Sequence, residues 1–277
     1  MNNTDVTDIY TLEHVSYQYN ATQQALVDIN LSVQQGEILS LIGSNGSGKS
    51  TLLHLLCGLT FASEGTIAFK GKSFNEKSFK DVNFNRTFRS SIGYVFQNSD
   101  AQLFCPTVFD ELLFGPLQLG YTMAVACERA ESLLHLFHIE HLRNRPPYML
   151  SGGEKKRVAI AAILTTNPDI LIFDEPMSGL DPKTRSFIIE LIFELNHAGK
   201  TILIATHHLE LVNHFQSRVV VLSEKHSIEK IGSCREILND TDLLIKANLI
   251  GEYLHKHDDA IHKHLSNQFL FYNHKHE

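Results

Sequence analysis

Eight residues, "GSNGSGKS" (43–50), carry the densest chemical signal in the chain. They fit G-x-x-x-x-G-K-[ST], a spacing in which small residues let successive backbone N–H groups curl around a phosphate. Gly43, Ser44, Asn45, Gly46, Ser47 and Gly48 supply the loop, and Thr51 continues it into the next element. Lys49 is expected to reach β- and γ-phosphates, and the Ser50 hydroxyl to bind Mg²⁺. A Gly/Ser-rich turn with a chance lysine is the bland alternative. Against it, the loop sits between an apolar strand, "GEILSLIG" (36–43), and a buried helix, "KSTLLHLLCGL" (49–59), as the chemistry requires. Farther on, "DILIFDEP" (169–176) reads as a continuous apolar strand ending on two carboxylates. The C-terminal ends of parallel strands are where ligands bind. Asp174 is expected to hold Mg²⁺ through water, and Glu175 to orient and activate an attacking water. The alternative there is a solvated acidic turn before Pro176.

A second anion site is written into "LSGGEKKRVAIA" (150–161). Ser151 with Glu154 fits a capping box, in which each side chain satisfies an orphan N–H of the first helical turn. Gly152 and Gly153 nevertheless weaken that turn and leave its N–H groups bare, and a bare helix N-terminus attracts anions. One chain thus carries two phosphate-binding ends.

These sites need a scaffold. The 277 residues, 43% apolar and 20% charged, suffice for one or two globular domains. A net charge of −7 makes a phosphate-gripping nucleic-acid partner a poor fit. Cys57, Cys105, Cys127 and Cys234 are scattered, without a CxxC pair, and read as reduced thiols. The polar start "MNNTDVTD" is no signal peptide, and no stretch is apolar for the roughly 18–20 residues of a membrane span. "LEHVSYQY" (12–19) alternates as an edge strand would, and "LVDINLSV" (26–33) more clearly. "GTIAFKG" (65–71) and "IGYVFQ" (92–97) read as strands, with 72–90 a polar surface loop between them. From about 106 to 165 the pattern is helical; then come "DILIFDEP", a helix (182–197), "TILIATH" (201–207) and a closing hairpin in "RVVVLS" and "SIEKIG". Strands alternating with helices, several apolar on both faces, predict a mainly parallel α/β sheet.

The phosphate loop, Gln97 in "YVFQN", "LSGGE", "LIFDEP", "SGLD" and "ATHH" follow one another in the order of the ATP-binding-cassette (ABC) ATPases, which the chain resembles over residues 10–235. The resemblance implies an α/β P-loop fold: a RecA-like, mainly parallel core, an antiparallel β subdomain, and a helical subdomain inserted at about 98–165. Residues 236–277 would then be a His-rich C-terminal extension. It implies ATP and Mg²⁺ as cofactors. Gln97 resembles the glutamine that contacts Mg²⁺ and water and connects the core to the helical subdomain. Asp181 resembles the aspartate at the dimer interface, and His207 the switch histidine that contacts the γ-phosphate. His208 follows where many relatives have aspartate and is expected to be a neighbour. Tyr19 resembles the aromatic that stacks on adenine, with Tyr17 on the same strand face as its rival. Two copies would pair head to tail, Ser151, Gly152 and Gly153 of one closing over ATP held by the other.

"VFQNSDAQLF" (95–104), "FGPLQLG" (114–120) and "LSGGEKKRVAIAAIL" narrow the resemblance to ATPases of energy-coupling-factor importers, the cobalt and nickel branch in particular. That implies a homodimer or a pair with a related subunit, a transmembrane scaffold protein, a membrane substrate-binding protein, and a peripheral place on the cytoplasmic face of the bacterial inner membrane. A vitamin importer, or a soluble ABC ATPase without transport, are the alternatives. Asp100, Asp110 and Glu111 are candidates to receive scaffold helices. "HKH" occurs three times near the end (His255/His257, His262/His264, His274/His276) and reads either as a solvated extension or as loose imidazole ligands for a borderline cation.

Overall fold

The computed structural model describes residues 7–20, 22–257 and 260–265. Strands β1 (Asp8–Asn20) and β2 (Gln23–Gln34) form an antiparallel pair, and β3 (Ile38–Ile42) leads through the phosphate loop into α1 (Lys49–Leu56). Then come β4 (Glu64–Phe69), β5 (Lys72–Phe74), α2 (Val82–Ser91) and β6 (Ile92–Val95). Helices α3 (Val108–Gln118), α4 (Met123–Leu136) and α5 (Gly152–Leu164) precede β7 (Ile170–Asp174). The chain continues through α6 (Pro182–His197), β8 (Thr201–Thr206), α7 (Leu209–Phe215), β9 (Arg218–Leu222) and β10 (Ile228–Ser233). It closes with α8 (Cys234–Leu238), α9 (Thr241–Lys246), β11 (Glu252–His257) and β12 (Ala260–Leu265).

A six-stranded sheet, β10-β9-β3-β8-β7-β6, is parallel except for β10. A four-stranded antiparallel sheet runs β2-β1-β4-β5. The continuous apolar strands follow from burial on both faces. In β7, Ile170 and Ile172 enter the core shared with α1 and the antiparallel sheet, while Leu171 and Phe173 enter the core under α3–α6. In β8, Leu203 and Ala205 face the first core and Ile202 and Ile204 the second. Period 2 therefore survives without polar residues, because neither face meets water.

Three readings of the sequence change. First, β1 is not an edge strand. It pairs with both β2 and β4, and the edges of that sheet are β2 and β5. Its alternation reflects one covered face, which an interior strand of a half-exposed antiparallel sheet shares with an edge strand. Second, residues 72–90 are not a loop. They form β5, a 3₁₀ turn (Glu76–Lys80) and most of α2, whose N-cap Asp81 accepts from Asn83 N at 2.9 Å and Phe84 N at 3.3 Å. The signal is carried by four phenylalanines spaced among polar residues: Phe74, Phe79 and Phe84 surround Phe88, with ring centroids 5.0–5.7 Å from it. Third, the stretch from 236 is ordered at its start. The expected boundary at 235/236 falls inside α8, and Ile237, Leu243, Leu244, Ala247 and Ile250 pack with Val212, Val219 and Val221. In the β11–β12 hairpin, His255 opposes His262 across antiparallel strands. His274 and His276 lie outside the described residues.

Phe88 is 1% exposed and ties α2 to Phe69 of β4 through a ring contact at 5.0 Å. Phe88→Ala is expected to cost about 3–5 kcal/mol by transfer and cavity terms. A shift of the urea-unfolding midpoint at unchanged m-value checks it.

Candidate functional site

Strand register builds the site. Ile42 of β3 lies beside Thr206 of β8, and Asp174 of β7 beside Ala205. The residues that follow, Gly43, Glu175 and His207, thus leave the sheet together at its C-terminal edge. Val95 of β6 is level with Phe173, so Gln97 emerges two residues farther along the same edge. Tyr19, Asn45, Gly46, Gly48, Lys49, Ser50, Thr51, Gln97 and Glu175 line one cleft of about 410 Å³, with Gln24, Ala25 and His226.

Gly48 caps α1 at φ +104°, and a Cβ there would stand 2.5 Å from the Ala25 carbonyl oxygen. A side chain at Gly43 would meet Ser47 Oγ at 2.5 Å and the Leu222 carbonyl at 2.7 Å. Both positions therefore need glycine, one for conformation and space, the other for space. Lys49 Nζ donates to the carbonyls of Gly43 (2.8 Å) and Ser44 (3.1 Å). Burial lowers the Lys49 pKa, against the opposing pull of Glu175 and Asp174. Ser47 Oγ is buried with no hydrogen-bond partner in the described residues.

The two carboxylates differ. Asp174 Oδ2 accepts from Tyr94 Oη at 3.1 Å, whereas its buried Oδ1 has no partner. An unpartnered carboxylate oxygen is costly unless something positive or a proton donor meets it. Asp174, the Ser50 hydroxyl and the Gln97 amide each offer an oxygen donor, the kind that suits Mg²⁺. Glu175 has φ +44°; its N–H donates to the Ala205 carbonyl at 2.9 Å. Its Oε1 lies 2.8 Å from His207 Nδ1, and its Oε2 is 3.4 Å from Thr206 Oγ1. Since an ionised carboxylate only accepts, this pair places the proton on Nδ1. The rings of His207 and His208 stand 4.2 Å apart, and burial, then the neighbouring His207, lowers the His208 pKa.

Between the tyrosines the geometry separates the candidates. Tyr19 is half exposed at the cleft and its hydroxyl is 2.8 Å from Thr51 Oγ1. Tyr17 packs against the core and meets the Tyr19 ring edge-on at 5.1 Å.

The second anion end lies elsewhere. Ser151 caps α5, and its N–H and Oγ donate to Glu154 Oε2 at 2.8 and 2.7 Å, bonds that lower the Glu154 pKa. Gly152 is exposed, and a Cβ on Gly153 would meet Thr184 Oγ1 at 3.1 Å and Asp181 Oδ2 at 3.3 Å. Asp181 itself caps α6, accepting from Thr184 N (3.0 Å) and Thr184 Oγ1 (2.6 Å). Ser151, Gly152, Gly153 and Asp181 do not line the cleft of their own chain.

Residues 26–178 match the model of the ABC transporter family. A putative ABC transporter ATP-binding protein of Methanosarcina acetivorans is 48% identical over 252 residues, 90% of this chain and 91% of that protein. The chain belongs to the ABC transporter ATP-binding family. The nickel import ATP-binding protein NikO of Rhodobacter capsulatus is 41% identical over 248 residues, 88% of this chain and 97% of NikO. The solved structure of cbiO1 from Clostridium perfringens, described as part of the ABC transporter complex cbiONQ, superposes with a TM-score of 0.74 at 35% identity, covering 88% of this chain and 95% of that one. This cassette is accordingly an ATPase that binds ATP.

Several side chains that hold the cassette's site in place escaped sequence reasoning. Lys156, 2% exposed on α5, donates through Nζ to the carbonyls of Phe96 and Gln97, both at 2.9 Å. Gln102 accepts from Phe96 N at 3.1 Å and donates to the Ala159 carbonyl at 3.0 Å. The segment carrying Gln97 is thus fastened to the helix that begins at Gly152. A lysine inside an amphipathic run was the available signal, but a run of "KKR" reads as a solvated face. The three acids expected to meet scaffold helices also divide. Glu111 is buried, accepts the N–H groups of Phe104 and Cys105, and has its pKa raised by burial. Asp110 accepts from Thr107 Oγ1 at 2.6 Å, and Asp100 alone is exposed, paired with Lys155 at 2.6 Å. Glu111 is a loop-holding group, not a surface one.

Burial lowers the Lys156 pKa from 10.5 to about 8. Below that value folded and unfolded chains both carry the ammonium. Between about 8 and 10.5 only the unfolded chain does, so unfolding takes up a proton and stability rises with pH. The unfolding free energy of the wild type, minus that of Lys156→Met, is expected to climb across this window, as read by urea titrations at a series of pH values.

Proposed function

We propose that the chain is the ATP-hydrolysing subunit of an importer for cobalt or nickel ions. It works as a dimer, homomeric or with a related subunit, on the cytoplasmic face of the bacterial cell membrane, with a transmembrane scaffold protein and a membrane substrate-binding protein. No helix of the described residues is long and apolar enough to cross a membrane, so translocation falls to the partners. The likeness to NikO and to cbiO1 supports the metal and the scaffold. The net charge of −7 supports a partner other than nucleic acid.

In this reading, backbone N–H groups from Gly43 to Thr51 receive the phosphates, and Tyr19 stacks on adenine. Lys49 exchanges its two carbonyl partners for β- and γ-phosphate oxygens. Ser50, Gln97 and Asp174 hold Mg²⁺, which when bound neutralises charge on the phosphate oxygens. Glu175 takes a proton from the attacking water. His207, oriented by the Glu175 carboxylate, turns to the γ-phosphate. Asp181 stands at the dimer interface.

The single observation that carries the reading is the separation of the two anion ends. The Ser151–Gly153 end has no part in its own chain's cleft, which supports a phosphate meeting both ends between two chains. Closing over ATP glues the dimer, and hydrolysis releases it. Two kinds of variant test this. Lys49→Ala should lose ATP binding; Glu175→Gln should keep it while turnover falls by about 10²-fold or more. Ser151→Arg puts a bulky cation in the γ-phosphate pocket of the partner. Mixed with Lys49→Ala, it should recover partial activity, because one composite site carries both defects and the other neither. Verified heterodimers that do no better than either parent would overturn the head-to-tail arrangement. Import of radiolabelled Ni²⁺ or Co²⁺ into cells expressing the chain with its membrane partners tests the substrate.

A further inference from the structure

His208 has no task in the reading above, yet it completes a cluster. One ligand atom each from Glu175, His207 and His208 lie within 4.8 Å of one another. We propose that these three residues bind a borderline divalent cation, Zn²⁺, Ni²⁺ or Co²⁺, in the nucleotide-free cassette, and that the bound ion stops turnover by occupying Glu175.

The donor set selects the ion. Two imidazole nitrogens and one carboxylate oxygen suit borderline cations, whereas Mg²⁺ prefers the oxygens of Ser50, Gln97 and Asp174. Three protein ligands leave a fourth position to water. The frame is already held. Glu175 is buried and its N–H is tied to the Ala205 carbonyl at 2.9 Å. Thr206 Oγ1 reaches Glu175 Oε2 at 3.4 Å and accepts from His208 N at 3.0 Å, so one hydroxyl bridges the carboxylate and the histidine backbone. The His208 imidazole forms no hydrogen bond among the described residues. An ion about 2.0–2.2 Å from each ligand holds them about 3.3 Å apart. The ion replaces the proton that His207 Nδ1 shares with Glu175 Oε1, and that proton leaves to water. Reaching that spacing takes small rotations of the two histidines, whose side chains are exposed or half-buried, while Glu175 stays in place.

The consequence follows from shared atoms. A carboxylate coordinated to a cation is a much weaker base toward water, and a coordinated His207 cannot turn to a γ-phosphate. Metal and closed ATP-bound dimer therefore exclude each other. If the chain energises import of such a cation, which rests on the proposed function, rising metal would restrain its own uptake.

The test separates this site from the C-terminal histidines. In the full-length chain, His255, His257, His262, His264, His274 and His276 are replaced by Asn, and Co²⁺ is titrated without nucleotide while visible ligand-field bands are followed. One Co²⁺ per chain is expected. Adding His208→Asn should weaken that binding at least tenfold, and in the unmodified chain the same substitution should remove one equivalent. With excess Mg²⁺ and ATP, the Zn²⁺ concentration that halves ATPase should rise at least tenfold in His208→Asn, while metal-free activity stays within twofold. Equal Co²⁺ binding with and without His208, in either background, overturns the proposal. A chain without any ATPase activity overturns the proposed function instead, and the Co²⁺ titration still decides this site.

Discussion

Register between parallel strands is the constraint on which the other features rest. The edge that carries the candidate site is assembled from residues far apart in sequence, and it exists because β3, β8, β7 and β6 end level with one another. Ile42 beside Thr206, Asp174 beside Ala205 and Val95 beside Phe173 fix that alignment. A one-residue slip of β7 would turn Ile170 and Ile172 into the core built for Leu171 and Phe173, and would carry Asp174 and Glu175 off the edge. Because both faces of these strands are packed, a slip meets resistance from two cores at once.

That edge accounts for one candidate phosphate site; it does not explain the helix that begins at Gly152. Here the helical segment between β6 and β7 matters. Lys156, Gln102 and Lys155 link residues 96–102 to α5, so whatever displaces Gln97 displaces the Ser151 end of α5 as well. The cleft at Gln97 and the Ser151 end of α5 are thereby joined through a few hydrogen bonds rather than through a long lever.

What the sequence made legible was whatever is local. The phosphate loop, the strand ending in Asp174 and Glu175, and the capping box at Ser151 are contiguous, and their chemistry is stated by spacing alone. What stayed hidden depends on pairing or burial. Whether β1 lies at an edge is decided by β4, more than 40 residues away, whose Ile67 pairs with Leu12. The helix at Val82–Ser91 is masked because its apolar anchors, Phe84 and Phe88, stand in a mostly polar stretch in which Asn83, Arg86 and Thr87 are exposed. Lys156 looks like its exposed neighbours until the carbonyls of Phe96 and Gln97 are seen to meet it. Glu111 likewise reads as surface charge until its loop closes over it.

Glu175 shows how local strain and the sheet edge work together. On a regular strand Asp174 and Glu175 would point to opposite faces, and only one could meet a ligand at the edge. The positive φ of Glu175 breaks the alternation and turns the chain as it leaves β7. Such a conformation costs about 1–2 kcal/mol for a residue with a Cβ. The Ala205 carbonyl, Thr206 Oγ1 and His207 Nδ1 offset that cost by holding the backbone and the carboxylate in the turned position. All three belong to the end of β8 or the residue after it. The strand that sets the register therefore also holds the strained glutamate, and the two buried carboxylates and Lys49 share one cluster of compensating charge before any nucleotide arrives.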